Sequence, residues 1–244
     1  MSQPIPRSPE LSLVHLARPP RTATAGAPPL LIQLHGVGSN ERDLFGFADV
    51  LDPRFLVLSV RAPLVRGPDS FAWFDVRPLP GGDFAIDPEQ LRASRDRVVR
   101  FIGEAVAAYQ ADPERVYLLG FSQGAIISLT TALSRPQGIA GVVALSGRVP
   151  PEATPWVAPA PELAGLPIFL AHGTSDGVIR IGHAHAARDL LEHLPVALTY
   201  REYAMAHTVG PETMYDLRGW LTTRLDGPRR VDVGAREGGG VPDA

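Results

Sequence analysis

The 244 residues are 45% hydrophobic and 20% charged with a formal net charge of −3, the balance of one α/β domain with a buried core. Cysteine is absent and all 23 basic residues are arginine, which removes thiol nucleophiles, thiolate metal sites, Schiff-base lysines and the phosphate-binding lysine of nucleotide-hydrolysing loops. No apolar run approaches the roughly 20 residues of a membrane span, the opening MSQPIPRSPE lacks a signal-peptide core, and the arginines are scattered among acids, so a cytoplasmic protein with no stable membrane insertion and no nucleic-acid partner is expected.

Residues 1–10 are polar and broken by proline, and read as a loose arm. An edge strand is expected over Leu11–Ala17, then a connection rich in Pro, Ala and Thr, then a buried strand over Leu30–Leu34 that runs into His35-Gly36-Val37-Gly38. Asn40 stands as a cap before Leu44, Phe47, Ala48 and Leu51 at helical spacing, which predicts a helix over 40–51. Phe55–Val60 is the next buried strand, closed by Arg61-Ala62-Pro63. The stretch Leu64–Ile86, with Phe71, Trp73 and Phe74, reads as a long loop, and loops of that length commonly carry binding residues. Asp87-Pro88-Glu89-Gln90 signals a helix start, and Leu91, Val98, Ile102 and Tyr109 mark one face of the long helix that follows.

Val116–Leu119 then meets Gly120-Phe121-Ser122-Gln123-Gly124, and an apolar helical pattern through Ile126, Ile127, Leu129 and Leu133 follows at once. Strand, sharp turn and helix are what a nucleophile elbow requires, with Ser122 at the apex and glycines where side chains would collide. The alternative is a plain strand-to-helix turn in which Ser122 caps the helix. Further on, a strand is expected over Ile139–Leu145 and a second long loop over Arg148–Leu166, containing Trp156. Pro167–Ala171 is a strand ending in His172-Gly173-Thr174-Ser175-Asp176, Ile181–Leu194 a helix, Ala197–Tyr203 a strand, and Gly210–Leu225 the last helix. Gly227–Ala244 has almost no apolar residues and reads as a disordered tail. Strands alternating with helices predict a single domain over 11–226, a mostly parallel sheet with helices on both faces.

A serine nucleophile needs a base and an acid to orient it, and an α/β-hydrolase carries them in the order Ser, Asp or Glu, His. Of the seven histidines, His15 and His193 lie away from any site signal. His183 and His185 are two apart on a helix and do not share a face, so a metal site is not expected. His35 and His172 end buried strands before glycine, where a hydrogen-bonded structural role is the simpler reading. His207 remains, in a loop after the last strand, with Asp176 one crossover before it. Read alone, Asp176 is also an ordinary turn residue before Gly177. Ser122, Asp176 and His207 are therefore the candidate triad for acyl transfer to water, with the backbone N–H groups of Val37 and Gln123 as candidate oxyanion donors.

Leu34-His35-Gly36-Val37-Gly38, Arg61-Ala62-Pro63, Trp73-Phe74-Asp75, Gly120-Phe121-Ser122-Gln123-Gly124, His172-Gly173 with Asp176, and His207 together resemble the phospholipase/carboxylesterase family of α/β-hydrolases, over roughly Leu30–Leu225. The resemblance implies an α/β-hydrolase fold without a separate lid domain, the same triad and oxyanion donors, and Trp73 beside the site. Two positions depart from the family pattern: Arg180 stands where Pro is usual, and Ala206 where the family often has Gly. The expected activity is a metal-free, cofactor-free serine carboxylesterase acting on small to medium acyl esters. A thioesterase or lysophospholipase is the close alternative, and a catalytically silent binding protein or a peptidase of the same fold are the more distant ones. Trp73, Phe74 and Trp156, from the two long loops, are the candidate substrate-binding residues. A homo-oligomer is compatible with the sequence but not readable from it.

Overall fold

The computed structural model describes residues 10–24, 26–79 and 83–228. The expected arm and tail fall almost wholly outside the described residues. In chain order the elements are β1 (His15–Arg18), β2 (Leu30–Leu34), a 3-10 helix (Leu44–Asp49), β3 (Leu56–Val60), β4 (Leu64–Gly67), β5 (Ser70–Ala72), β6 (Val76–Pro78), β7 (Phe84–Ile86) and α1 (Pro88–Tyr109). There follow β8 (Val116–Phe121), α2 (Gln123–Ser134), β9 (Ile139–Leu145), a 3-10 helix (Pro151–Trp156), α3 (Ala160–Leu163), β10 (Pro167–Gly173), α4 (Ile181–Glu192), β11 (Ala197–Tyr203) and α5 (Pro211–Asp226).

Seven strands form the main sheet in the order β1-β3-β2-β8-β9-β10-β11. All neighbours are parallel except β1 and β3, which pair antiparallel with His15 opposite Val60. The central strands β2, β3, β8, β9 and β10 are buried almost throughout, because helices cover both faces and leave no solvent side to favour alternation. Leu30, Ile32 and Leu34 pack with residues of α1, α2 and α4 on one face. Leu31, between them, packs with Leu44, Ala48 and the α5 residues Leu217, Trp220 and Leu221 on the other. After β3 the chain leaves one side of β2 and returns as β8 on its other side. That reversal sets the carboxyl ends of β2 and β8 side by side, the position at which open α/β sheets bind ligands.

Asp87 caps α1 as the sequence predicts, its side chain accepting the N–H groups of Glu89 and Gln90. Elsewhere the structure corrects the expectation. Within residues 40–51 only Leu44–Asp49 is helical, and as a 3-10 helix rather than an α-helix. Asn40 accepts the Arg42 N–H in a tight turn while donating to the Asp69 carbonyl, so its side chain is tied to the β4–β5 turn and caps nothing. The expected loop 64–86 contains two small antiparallel ribbons, β4–β5 and β6–β7, whose strands of three or four residues are too short to declare a period. The second expected loop holds a 3-10 helix and α3, and the amino-terminal edge strand starts at His15 rather than Leu11.

Candidate active site

Ser122 joins β8 to α2 with φ 55° and ψ −118°, a left-handed conformation that costs a non-glycine residue on the order of 1–3 kcal/mol. Its N–H donates to the Leu145 carbonyl at 2.9 Å, which pins the turn to β9. A Cβ on Gly120 would lie 2.2 Å from the Gly124 carbonyl oxygen, and one on Gly124 would lie 1.8 Å from that of Leu34. Both glycines are therefore steric requirements of the bend.

Ser122 Oγ is 3.0 Å from His207 Nε2, and His207 Nδ1 is 2.7 Å from Asp176 Oδ2. The other carboxylate oxygen of Asp176 accepts the N–H groups of Val178 and Ile179, each at 2.9 Å. The Asp176 side chain is fully buried and that of His207 is 16% exposed, so the carboxylate is shielded while the imidazole reaches the surface. Phe121 supports the ring of His207 at 4.8 Å between centroids. The loop after β10 is zipped to the loop after β11 by N–H donation from Thr174 to Tyr203 O and from Ser175 to Met205 O. Three strand ends thus deliver a hydroxyl, an imidazole and a carboxylate to one place, from positions as far apart as residues 122 and 207.

His35 organises the loop on the other side of Ser122. The Ala62 N–H donates to His35 Nε2 at 3.0 Å, and His35 Nδ1 donates to the Gly36 carbonyl at 2.7 Å. Burial pushes this imidazole below its usual range, as it must, because protonating Nε2 would abolish the bond from Ala62. Gly36 packs on Ser122, where an added Cβ would lie 3.3 Å from the serine Cβ. The Val37 N–H finds no acceptor among the described residues, and the Gln123 N–H, at the first position of α2, has no carbonyl within its own helix to bond. These two free donors flank the serine.

Two of the three expected substrate-binding aromatics are buried by the fold. Trp73 and Phe74 have no exposed surface. Trp73 donates its indole N–H to the His35 carbonyl and its backbone N–H to Gln123 Oε1, while the Gln123 amide donates to the Phe74 carbonyl. They are the packed support beneath the Val37 loop and Gln123, not an open wall. Trp156 is turned to α1, with the guanidinium groups of Arg92 and Arg95 at 4.9 and 5.2 Å from its ring centroid. The sequence reading missed the supporting role of the Gln123 side chain, for which a residue beside a serine gives no signal. It also missed the closeness of His172 to Asp176, at 3.3 Å between Nε2 and Oδ2; their separation of four residues across a Gly-containing turn was the available clue. His15 bonds Tyr109, His185 bonds Glu202 and His193 bonds the Asp189 carbonyl. Among the described residues no group of three or more His, Asp and Glu is disposed to hold a metal ion, and no helix is long and apolar enough to cross a membrane.

The parallel sheet, its helical layers and the elbow define an α/β-hydrolase fold. The phospholipase/carboxylesterase family model matches residues 22–225, and the chain belongs to that family, whose members are hydrolases. It is 29% identical over 214 residues to acyl-protein thioesterase 1 of Mycosarcoma maydis, covering 78% of this chain and 89% of the relative. It is 26% identical over 223 residues to a probable carboxylesterase of Oryza sativa subsp. japonica, covering 86% and 94%. The crystal structure of the Bacillus cereus carboxylesterase superposes with a TM-score of 0.73 at 26% identity, covering 87% of this chain and 95% of that one.

Proposed function

We propose that this protein is a serine carboxylesterase that hydrolyses small to medium acyl esters through an acyl-serine intermediate. The observation that carries the reading is the unbroken relay from Ser122 Oγ to His207 Nε2 at 3.0 Å and from His207 Nδ1 to Asp176 Oδ2 at 2.7 Å. In this mechanism His207 Nε2 takes the hydroxyl proton as Ser122 attacks the ester carbonyl. Asp176 holds the Nδ1–H tautomer and balances the imidazolium charge that develops. The carbonyl oxygen gains its negative charge beside the free N–H groups of Val37 and Gln123. His207 then returns the proton to the departing alkoxide, and water repeats the attack on the acyl-serine. Residues 11–226 would act as one catalytic unit. The relationship to acyl-protein thioesterase 1 supports a second reading, the same chemistry on a thioester.

Hydrolysis of a p-nitrophenyl ester series from acetate to laurate, by wild type and Ser122→Ala in parallel, tests the proposal. Expected is a loss in the variant of at least about 1,000-fold in kcat, as for other nucleophile deletions, with wild-type activity greatest at short or medium chains. Asp176→Asn is expected to fall by a comparable order through the wrong tautomer. Thioester cleavage without ester cleavage would select the second reading, and equal turnover by wild type and Ser122→Ala would end both.

A further inference from the structure

His172 has the carboxylate of Asp176 on one side and the chain that follows it on the other. Its Nε2 lies 2.6 Å from the Ile179 carbonyl oxygen and 3.3 Å from Asp176 Oδ2. A carbonyl only accepts, so Nε2 carries the proton and Nδ1 does not. The Ile179 N–H in turn donates to Asp176 Oδ1. Two hydrogen bonds therefore link His172, Ile179 and Asp176, imidazole to carbonyl and amide to carboxylate, and the Nε2 edge of the imidazole also stands 3.3 Å from the other carboxylate oxygen. That oxygen is the one His207 uses.

We infer that His172 is a positioning residue of the Ser122 site, a second imidazole whose Nε2 edge stands beside Asp176 Oδ2, the oxygen His207 uses, and limits how much of the carboxylate charge His207 receives. The inference rests on the serine-hydrolase reading above. The side chains of both His172 and Asp176 are fully buried, so water does not supply an alternative donor to that oxygen, and electrostatic interactions there are stronger than at the surface. The ionisable groups that bear on His172 are Asp176, His207 and, from α4, His183; burial outweighs the attraction of Asp176 and pushes the imidazole below its usual range. It thus stays neutral and keeps the single Nε2 proton that the geometry uses. A purely structural histidine would need only its bond to Ile179. The placement of its N–H edge against the oxygen shared with His207 is what assigns it a part in the relay.

The test compares wild type, His172→Phe and His172→Gln. Glutamine places an N–H donor near the position of Nε2; phenylalanine fills the space and donates nothing. Removing the donor leaves more carboxylate charge facing His207, so the imidazolium is favoured and the base remains protonated to higher pH. For His172→Phe the acid limb of the kcat/KM profile is expected to move up by about half a pH unit, with kcat reduced about 3- to 10-fold and KM little changed. For His172→Gln the limb is expected to return to its wild-type position. A second readout needs no substrate: the low-field proton NMR signal of the His207 Nδ1–H is expected to shift in His172→Phe and to be restored in His172→Gln. Should both variants lose activity alike with the acid limb and the NMR signal unmoved, His172 is only a structural support and the inference fails. If wild type cleaves no ester or thioester, the function proposed above fails, and the NMR comparison still decides the role of His172.

Discussion

The chain contains two His-Gly steps, His35-Gly36 and His172-Gly173, and each ends a buried strand of the parallel sheet on one side of the serine. As sequence they are indistinguishable. In the fold they hold opposite tautomers: His35 donates through Nδ1 and accepts at Nε2, both with backbone groups, whereas His172 donates through Nε2 to the Ile179 carbonyl with Asp176 Oδ2 3.3 Å from the same nitrogen. Both imidazoles are buried and neutral for the same reason, the cost of desolvating a charge. What separates them is the partner each edge meets. His35 stitches the loop of Val37 to the strand end at Ala62, so its work is finished within the backbone; His172 meets a side chain that the relay uses. The glycines differ in the same sense. A Cβ on Gly36 would meet side-chain carbons of Ser122 and Phe121 at 3.3 and 3.4 Å, while one on Gly173 would meet the carbonyl oxygens of Met205 and Ala206 at 2.3 and 2.5 Å.

That contrast can be broken most forcefully at Gly173. Gly173→Ala must push the Met205–Ala206 backbone away and His207 with it. Turnover is expected to fall at least about 100-fold, since displacements near 1 Å at a reacting group cost that much, with a stability loss of about 1–3 kcal/mol from overpacking. Near-wild-type kcat in ester hydrolysis would show that the two loops are not locked together as described.

An intermediate effect is expected at His35. His35→Leu strips partners from the Ala62 N–H and the Gly36 carbonyl, and urea unfolding at neutral pH should show a loss of about 2–3 kcal/mol, with the acid limb of the activity profile unchanged. The same variant carries a pH signature. An imidazole held neutral in the fold binds fewer protons folded than unfolded, so wild-type stability is full above the unfolded value of about 6.5 and declines as the pH drops below it. His35→Leu removes one such group, and its stability should fall less steeply than that of wild type between neutrality and mild acid. An identical slope would mean that His35 titrates freely in the fold.

Gly36→Ala should do least. The neighbours are side-chain atoms that can give by a few tenths of an ångström, so a cost within about 1 kcal/mol and activity within about 3-fold are expected. A collapse of activity comparable to that of Gly173→Ala would erase the distinction between the two steps.

The elbow was legible residue by residue, because its constraints are local: a strand of β-formers, two glycines without which the bend collides with its own backbone, and a helix pattern that begins at once. The long helix from Pro88 announced itself through Asp87, and the buried strands through unbroken apolar runs, which need no partner to be recognised. The ribbons at 64–86 were not legible, since strands of three or four residues carry no period, and the first of them is tied to the neighbouring loop only in the fold, through the bridge between Ser39 and Phe71. Trp73 and Phe74 misled for a related reason. An aromatic in a long loop looks available to a ligand until the loop folds back, and here Gln123 and the His35 carbonyl bind the backbone and indole of Trp73 and draw both rings into the core.

By itself the sequence determined the sheet-forming runs, the strained serine turn and the chain order of the groups that follow it, all consequences of local sterics and of hydrophobic patterning. Only the tertiary structure decided which of two identical His-Gly steps faces the acid, which tautomer each holds and which aromatics are core. Those outcomes depend on partners that only the folded loops present: Ala62 reaches His35 and Gln123 reaches Trp73 from distant strands and loops, and His172 meets Ile179 and Asp176, close in sequence, only because the chain after β10 folds back on it.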